Sequence, residues 1–122
     1  MGKFRVTFKS IVVHKSDDGA FDSTLETKWN FIINGSIFSW TKNLKAQNTP
    51  YAIDISHDLD VPDNSIIHLE VYGNEIDTVS DDELPGFIHT WNRDSSWGLG
   101  FHPEKQSNDD ITYTLNYEIS QI

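Results

Sequence analysis

The sequence predicts an all-β chain folded as an antiparallel β-sandwich of about eight strands. Three observations carry that expectation. Apolar residues recur at period two: Ile111, Tyr113, Leu115, Tyr117 and Ile119 alternate with Thr112, Thr114, Asn116, Glu118 and Ser120. Clusters of turn-forming residues separate such runs at short intervals. No segment carries the apolar stripe, three and four residues apart, that an amphipathic helix requires.

Each element follows in turn. Phe4, Val6 and Phe8 alternate with Arg5, Thr7 and Lys9 and seed the first strand. An acidic connection, His14 to Leu25, comes next. Trp29, Phe31 and Ile33 form a second alternating run, with Trp29 on its inward face, and lead directly into Asn34-Gly35. Asn-Gly accepts the positive φ that a type I′ turn demands at both central positions, so Ser36 to Trp40 is the returning strand. Alternation along Ser36 to Trp40 does not fix the side that Trp40 faces. Further strands are predicted at Tyr51 to Ser56, Ile66 to Tyr72, Phe87 to Asn92 and Gly98 to His102. The turns between them are Gln47 to Pro50, Pro62 to Ser65, the acidic stretch ending at Pro85-Gly86, and Ser107 to Asp110.

The chain has 122 residues, which predicts one sandwich domain over residues 1–122. A domain of this length buries about two-thirds of the surface its unfolded chain exposes. The formal net charge is −10, and the nine Lys and Arg residues form no cluster. Such a chain repels phosphate backbones, which excludes nucleic acid as the expected partner. An anionic membrane repels it too, unless a bound cation inverts the local sign. There is no cysteine, hence no disulfide, thiolate metal site or thiol nucleophile. Met1 to Val6 lacks the apolar run of a secretory signal, and no stretch is long and apolar enough to span a bilayer. A cytoplasmic location is the resulting expectation.

Two connections are loaded with carboxylates: His14 to Leu25 with Asp17, Asp18 and Asp22, and Asn74 to Gly86 with Glu75, Asp77, Asp81, Asp82 and Glu83. Crowded like charges call for a counter-ion, a basic partner or abundant water. Calcium takes six to eight oxygen ligands, and carboxylates on loops supply them. An oxygen-only donor set favours calcium over zinc or copper. Parity then links the two loops. If each strand crosses the sandwich once, the first, third and fifth connections emerge at the same end. Asp17, Asp18, Asp22, Glu75, Asp77, Asp81 and Asp82 therefore form one candidate metal site. The alternative is a solvated acidic surface.

From about Phe4 to Gly86 the chain resembles a C2 domain, the calcium-dependent β-sandwich whose ligands come from loops gathered at one end. Leu69-Glu70-Val71-Tyr72, the acidic stretch and Leu84-Pro85-Gly86 resemble that family's strand, aspartate-rich loop and closing aliphatic-glycine. Thr41-Lys42 through Asn48-Thr49-Pro50-Tyr51, then Ile53 and Ile55, resembles its Asn-Pro-x-aromatic turn, with Thr49 intruding between Asn and Pro. Asp17, Asp18 and Asp22 stand where the first calcium loop would be. The register departs from the family in the later loop. Its aspartates at the first, third and ninth positions land on Gly73, Glu75 and Asp81, and glycine has no side chain to ligate with. The resemblance implies a binding module that takes calcium and presents its loops to a protein or a membrane surface.

Other chemistry is less well supported. The five histidines are far apart in sequence, and His57 stands near Asp54, Asp58 and Asp60. His68 and His89 are expected opposite the core face. No nucleophile elbow, P-loop or His-Glu-x-x-His occurs, and nothing singles out a catalytic carboxylate pair, so no enzymatic role is expected. Trp91 and Trp97 bracket the polar turn Asn92 to Ser96. Exposed beside acids and amides, they would make a metal-independent carbohydrate- or protein-binding platform. Turned inward, they would fill the core of a small β domain.

Overall fold

In the computed structural model, which describes residues 2–16, 24–76 and 82–122, these alternating runs form two four-stranded antiparallel sheets. The strands are β1 (Gly2–Ser16), β2 (Leu25–Ile33), β3 (Ser36–Leu44), β4 (Tyr51–Val61), β5 (Ile67–Glu75), β6 (Asp82–Trp91), β7 (Gly100–Ser107) and β8 (Ile111–Gln121). One sheet has the order β4-β1-β8-β7 and the other β3-β2-β5-β6. Alternate residues of each central strand point between the sheets, as the pleat requires. Phe4, Val6 and Phe8 of β1, Trp29, Phe31 and Ile33 of β2, and Tyr113, Leu115 and Tyr117 of β8 are all buried there. Phe8 stacks on Phe31 across the interface at 4.7 Å, and Trp29 meets Tyr113 edge-on at 5.2 Å.

The Asn34-Gly35 turn closes β2 on β3 as its sequence predicts, pairing Ile33 with Ser36, with φ positive at both turn residues. Trp40 turns toward the sandwich and packs partly buried against the core. Among the described residues Thr27 is the one buried polar side chain outside the aromatic set. Its Oγ1 donates to the Lys42 carbonyl at 2.7 Å and accepts from Trp29 Nε1 at 2.9 Å. Gly73, opposite Trp29 on β5, leaves room for the indole: a Cβ there would lie 2.6 Å from the ring.

Several boundaries differ from the sequence reading, for identifiable reasons. β1 runs on to Ser16 because a register shift at Lys9 brings Phe8 and Ile11, three residues apart, to the same inward face. Pro85-Gly86, read as a turn, lies inside β6 at a second shift, where the Gly86 backbone approaches the Val71 carbonyl too closely for any Cβ. β4 extends five residues past Ser56, to Val61; as an edge strand it is only partly covered, so one polar residue, His57, stands among its inward apolar positions. The polar turn Asn92 to Ser96 becomes a short 3₁₀ helix (Arg93–Gly98), capped reciprocally by Asn92 and Ser95, and β7 starts at Gly100 rather than Gly98. His68 faces outward as expected. His89 does not: it lies opposite buried Leu69, on the inner face at the β6 edge, where Nε2 meets Glu104 Oε1 at 3.1 Å.

Candidate functional site at the acidic end of the sandwich

The site is built from strand ends. β1 ends at Ser16 beside Ile111, the first residue of β8. β2 begins at Leu25, and two residues later Thr27 pairs with Glu75 near the end of β5. Ile76 N then donates to the Glu26 carbonyl at 2.7 Å, which fastens the exit of β5 to the entry of β2. The connection that follows Ser16 therefore returns to the sandwich, at Leu25, beside the point where the connection after Ile76 leaves it. This is the neighbourhood that parity predicts for the two acidic loops.

The third connection joins them: Ala46 N donates to Ser16 Oγ at 3.1 Å, and Gln47 N to the Val13 carbonyl at 3.1 Å. The opposite end holds the Asn34-Gly35 turn, tied to β5 by Asn34 N donating to the His68 carbonyl at 2.9 Å.

Of the predicted ligands, Asp17, Asp18, Asp22, Asp77 and Asp81 lie outside the described residues. Glu75 closes β5, and the register sets it opposite Asp82, the first residue of β6, with Asn74 opposite Glu83. Among the described residues no three carboxylate or imidazole groups gather closely enough to hold a metal ion. The described carboxylates at this end, among them Glu75, Glu83, Asp109 and Asp110, offer oxygen donors, which suit a hard cation.

Sequence reasoning missed one contributor. The β7–β8 turn also lies at this end. Asn108 Oδ1 accepts from Asp110 N at 2.8 Å and Ile111 N at 3.0 Å, while its Nδ2 donates to the Glu83 carbonyl at 3.2 Å. Asp109 and Asp110 are thereby carried alongside the mouth of the β5–β6 connection. The signal was available: the seventh connection has the same parity as the first, third and fifth.

Trp91 and Trp97 sit elsewhere, at the β6–β7 edge and the opposite end, each half-buried against the core. Trp97 packs on Phe4 at 5.2 Å, and Trp91 lies 4.9 Å from the His102 ring, which stacks in turn on Tyr117. Trp91 Nε1 is buried and faces the Tyr117 hydroxyl without a well-formed hydrogen bond. Burial pushes the Tyr117 phenol from 10.0 up to about 12, opposed by the Trp91 indole and reinforced by the Glu104 carboxylate. Tyr113, which donates to the Pro85 carbonyl at 2.6 Å, is raised by burial as well, again with Glu104 adding to the effect. Away from these sites, Arg5 holds Asp58 through two hydrogen bonds, at 2.7 and 3.1 Å, and keeps that carboxyl below its ordinary range. Among the described residues no helix is long and apolar enough to cross a membrane.

Solved structures with the same architecture include C2 domains. The calcium-bound pair of C2 domains from extended synaptotagmin 2 superposes with a TM-score of 0.64 at 13% identity, over 98% of this chain and 45% of that one. Human GIVD cytosolic phospholipase A2 gives 0.62 at 12% identity, over 98% of this chain and 17% of the enzyme. A C2 domain protein from Ramazzottius varieornatus gives 0.56 at 18% identity, over 99% and 90% of the two chains. The chain thus spans less than half of the first two proteins and most of the third. No protein-family model matches the sequence, and no curated protein does. At these identities the likeness establishes the fold: the chain is a C2-like β-sandwich.

Proposed function

We propose that this C2-like sandwich is a binding module that takes calcium at its acidic end and, once loaded, docks there on a protein or membrane surface. The observation that carries the reading is that β2, which receives the first acidic loop, starts beside the end of β5, which launches the second, with Glu75 set opposite Asp82 in the register. Asp17, Asp18, Asp22, Glu75, Asp77, Asp81 and Asp82 are the residues assigned to the ion. Bound calcium would cancel the repulsion between the loops and reverse the local field, which is what a chain of net charge −10 needs to approach an anionic surface. The calcium-bound state of the extended synaptotagmin neighbour supports the choice of ion by analogy of fold. The tryptophan platform is not preferred, because Trp91 and Trp97 are engaged with the core.

Thermal melts in calcium and in chelator test the proposal. An ion that binds the folded chain at a hundredfold excess over Kd stabilises it by about 2.7 kcal/mol. For a domain of this size that raises Tm by several degrees. Asp81→Asn combined with Asp82→Asn should abolish the rise. A native melt unchanged by millimolar calcium would remove the metal from the account and leave a solvated acidic end.

A further inference from the structure

Apolar side chains exposed singly need no explanation, but a contiguous set marks a surface that meets a partner. The outer face of the β3-β2-β5-β6 sheet carries such a set. In the register Ile37 stands opposite Ile32, Ile32 opposite Glu70 and Glu70 opposite Ile88, so these four make one row across all four strands. Phe31, Leu69 and Phe87, their neighbours along the central strands and β6, are buried between the sheets, so the row points outward. Ile37 and Ile88 are each 60% exposed, and Tyr72, in the next row beside Glu70, is 38% exposed.

A cavity opens in this face where β6 bulges. The register shifts between Val71 and Gly73, so Tyr72 has no partner on β6 and lies beside Gly86. Glycine adds no side chain there, and a space of about 370 Å³ remains, lined by Glu70, Tyr72, Glu83, Gly86 and Ile88. Glu83 stands opposite Asn74, four residues along β5 from Glu70, so the two glutamates sit at opposite ends of the cavity with the Tyr72 ring between them.

Charge defines what fits. The outer face of the other sheet carries two matched pairs, Arg5 with Asp58 at 2.7 Å and Lys9 with Glu118 at 3.3 Å. Here, among the described residues, neither Glu70 nor Glu83 pairs with a lysine or arginine, and Glu70 meets only the His68 imidazole, at 3.9 Å. Lys28, on the same face, is two strands away from Glu83. An occupant therefore brings a cation for the cavity and apolar groups for the isoleucines. A cation over Tyr72 is attracted by the ring as well as by the carboxylates. The row continues past the cavity over β2 and β3, about 14 Å from Ile88 to Ile37 at ordinary strand spacing, which is the span of a protein contact rather than of a free amine.

We propose that this outer face docks a protein that presents a lysine or arginine between aliphatic side chains. The cation enters the cavity between Glu70 and Glu83, over Tyr72, and the aliphatic groups cover Ile88, Ile32 and Ile37. The charge fixes the partner's register, and the isoleucines supply the apolar area buried on contact. A membrane is a poor occupant, because lipid phosphates would face two carboxylates. A second copy of this chain is another, because two chains of net charge −10 would meet. Neither the cavity nor the row includes a residue assigned to calcium.

The probe is the acetylated, amidated pentapeptide Leu-Ala-Arg-Ala-Leu. Extended, it holds its two leucines about 14 Å apart on the same side as the arginine. It is titrated, in chelator, into protein carrying carbon-13 labels on the isoleucine methyls. The methyls of Ile32, Ile37 and Ile88 should shift along one saturable curve. Glu70→Gln with Glu83→Gln should weaken binding at least about tenfold, and Tyr72→Ala should weaken it too. Asp54→Asn with Asp60→Asn removes the same charge from the other sheet and should leave binding unchanged. Glutamine in place of the arginine, or glycine in place of both leucines, should abolish the shifts. Equal weakening by the two double variants, or equal binding by the glycine peptide, would reduce the interaction to diffuse charge attraction and overturn the proposal. So would the absence of a saturable shift at the three isoleucines. A dimer of the protein alone, or calcium-free binding to phosphatidylcholine vesicles, that Ile88→Ser abolishes would assign the face to another occupant and overturn it equally.

Discussion

Thr27→Val is the most informative single change in this core. Valine has threonine's shape, so packing is conserved and the loss is confined to one oxygen. That oxygen currently accepts from Trp29 Nε1 at 2.9 Å and donates to the Lys42 carbonyl at 2.7 Å. Removing it leaves a fully buried indole N–H unsatisfied, which costs about 1–3 kcal/mol. The Lys42 carbonyl faces β2 in the ladder opposite Thr27 and keeps its backbone partner there, so its loss is small. The net destabilisation should be roughly 2 kcal/mol, a Tm decrease of about 6–12 °C for a domain of this size. Urea melts followed by tryptophan fluorescence measure it. The partner change is Trp29→Phe: once the indole N–H is gone, Thr27→Val should cost far less, giving a coupling of about 1–2 kcal/mol in the double-mutant cycle. A Thr27→Val protein within about 0.5 kcal/mol of the parent, the range of a neutral surface change, would refute the reasoning, as would strict additivity with Trp29→Phe. The stakes extend to the candidate site, because Thr27 pairs with Glu75 at the mouth of the β5–β6 connection.

Two further outcomes follow from the β6–β7 edge. Gly98 has φ +66, and a Cβ there would lie 2.4 Å from the Trp91 ring, so Gly98→Ala should destabilise by about 1–3 kcal/mol, read by chemical denaturation. Stability should also fall in alkali. The Tyr117 phenol titrates at about 12 folded against 10.0 ordinarily, and Tyr113 is raised too, so their contribution is complete below pH 10.0 and is lost as pH rises toward 12. Absorbance of tyrosinate against pH should show two phenols ionising late in the native protein and normally in urea; simultaneous early ionisation of all four tyrosines would contradict the burial described here.

Residues with one dominant constraint were legible in the sequence. Ile111, Tyr113, Leu115, Tyr117 and Ile119 belong to a central strand with one buried face, so burial alone dictates their alternation. Asn34-Gly35 was legible because few residues tolerate its backbone angles. Edges were harder to read. The inner face of β7 carries His102, Glu104 and Gln106, polar groups satisfied locally: Glu104 meets His89 and Gln106, and His102 bonds the Gly98 carbonyl. No apolar period marks such a strand. Pro85-Gly86 has turn composition, yet it serves a bulge, because glycine there admits the Val71 carbonyl. The candidate site was legible as a place: parity brought the first, third and fifth connections together, and the flanking strand ends converge accordingly. Asp109 and Asp110 escaped because Ser107 to Asp110 reads as an ordinary turn, and it takes the Asn108–Glu83 hydrogen bond to tie it to the site.

The central claim is that the acidic end is one calcium site rather than two separate charged loops. A calcium titration of the nitrogen-15-labelled protein, followed amide by amide, tests it most directly. The account predicts that Ser16, Leu25, Ile76, Asp82 and Asn108 shift along a single saturable curve, while amides at the Asn34-Gly35 end stay still. Shifts that never saturate, or that follow different curves on the two sides of the site, would contradict it.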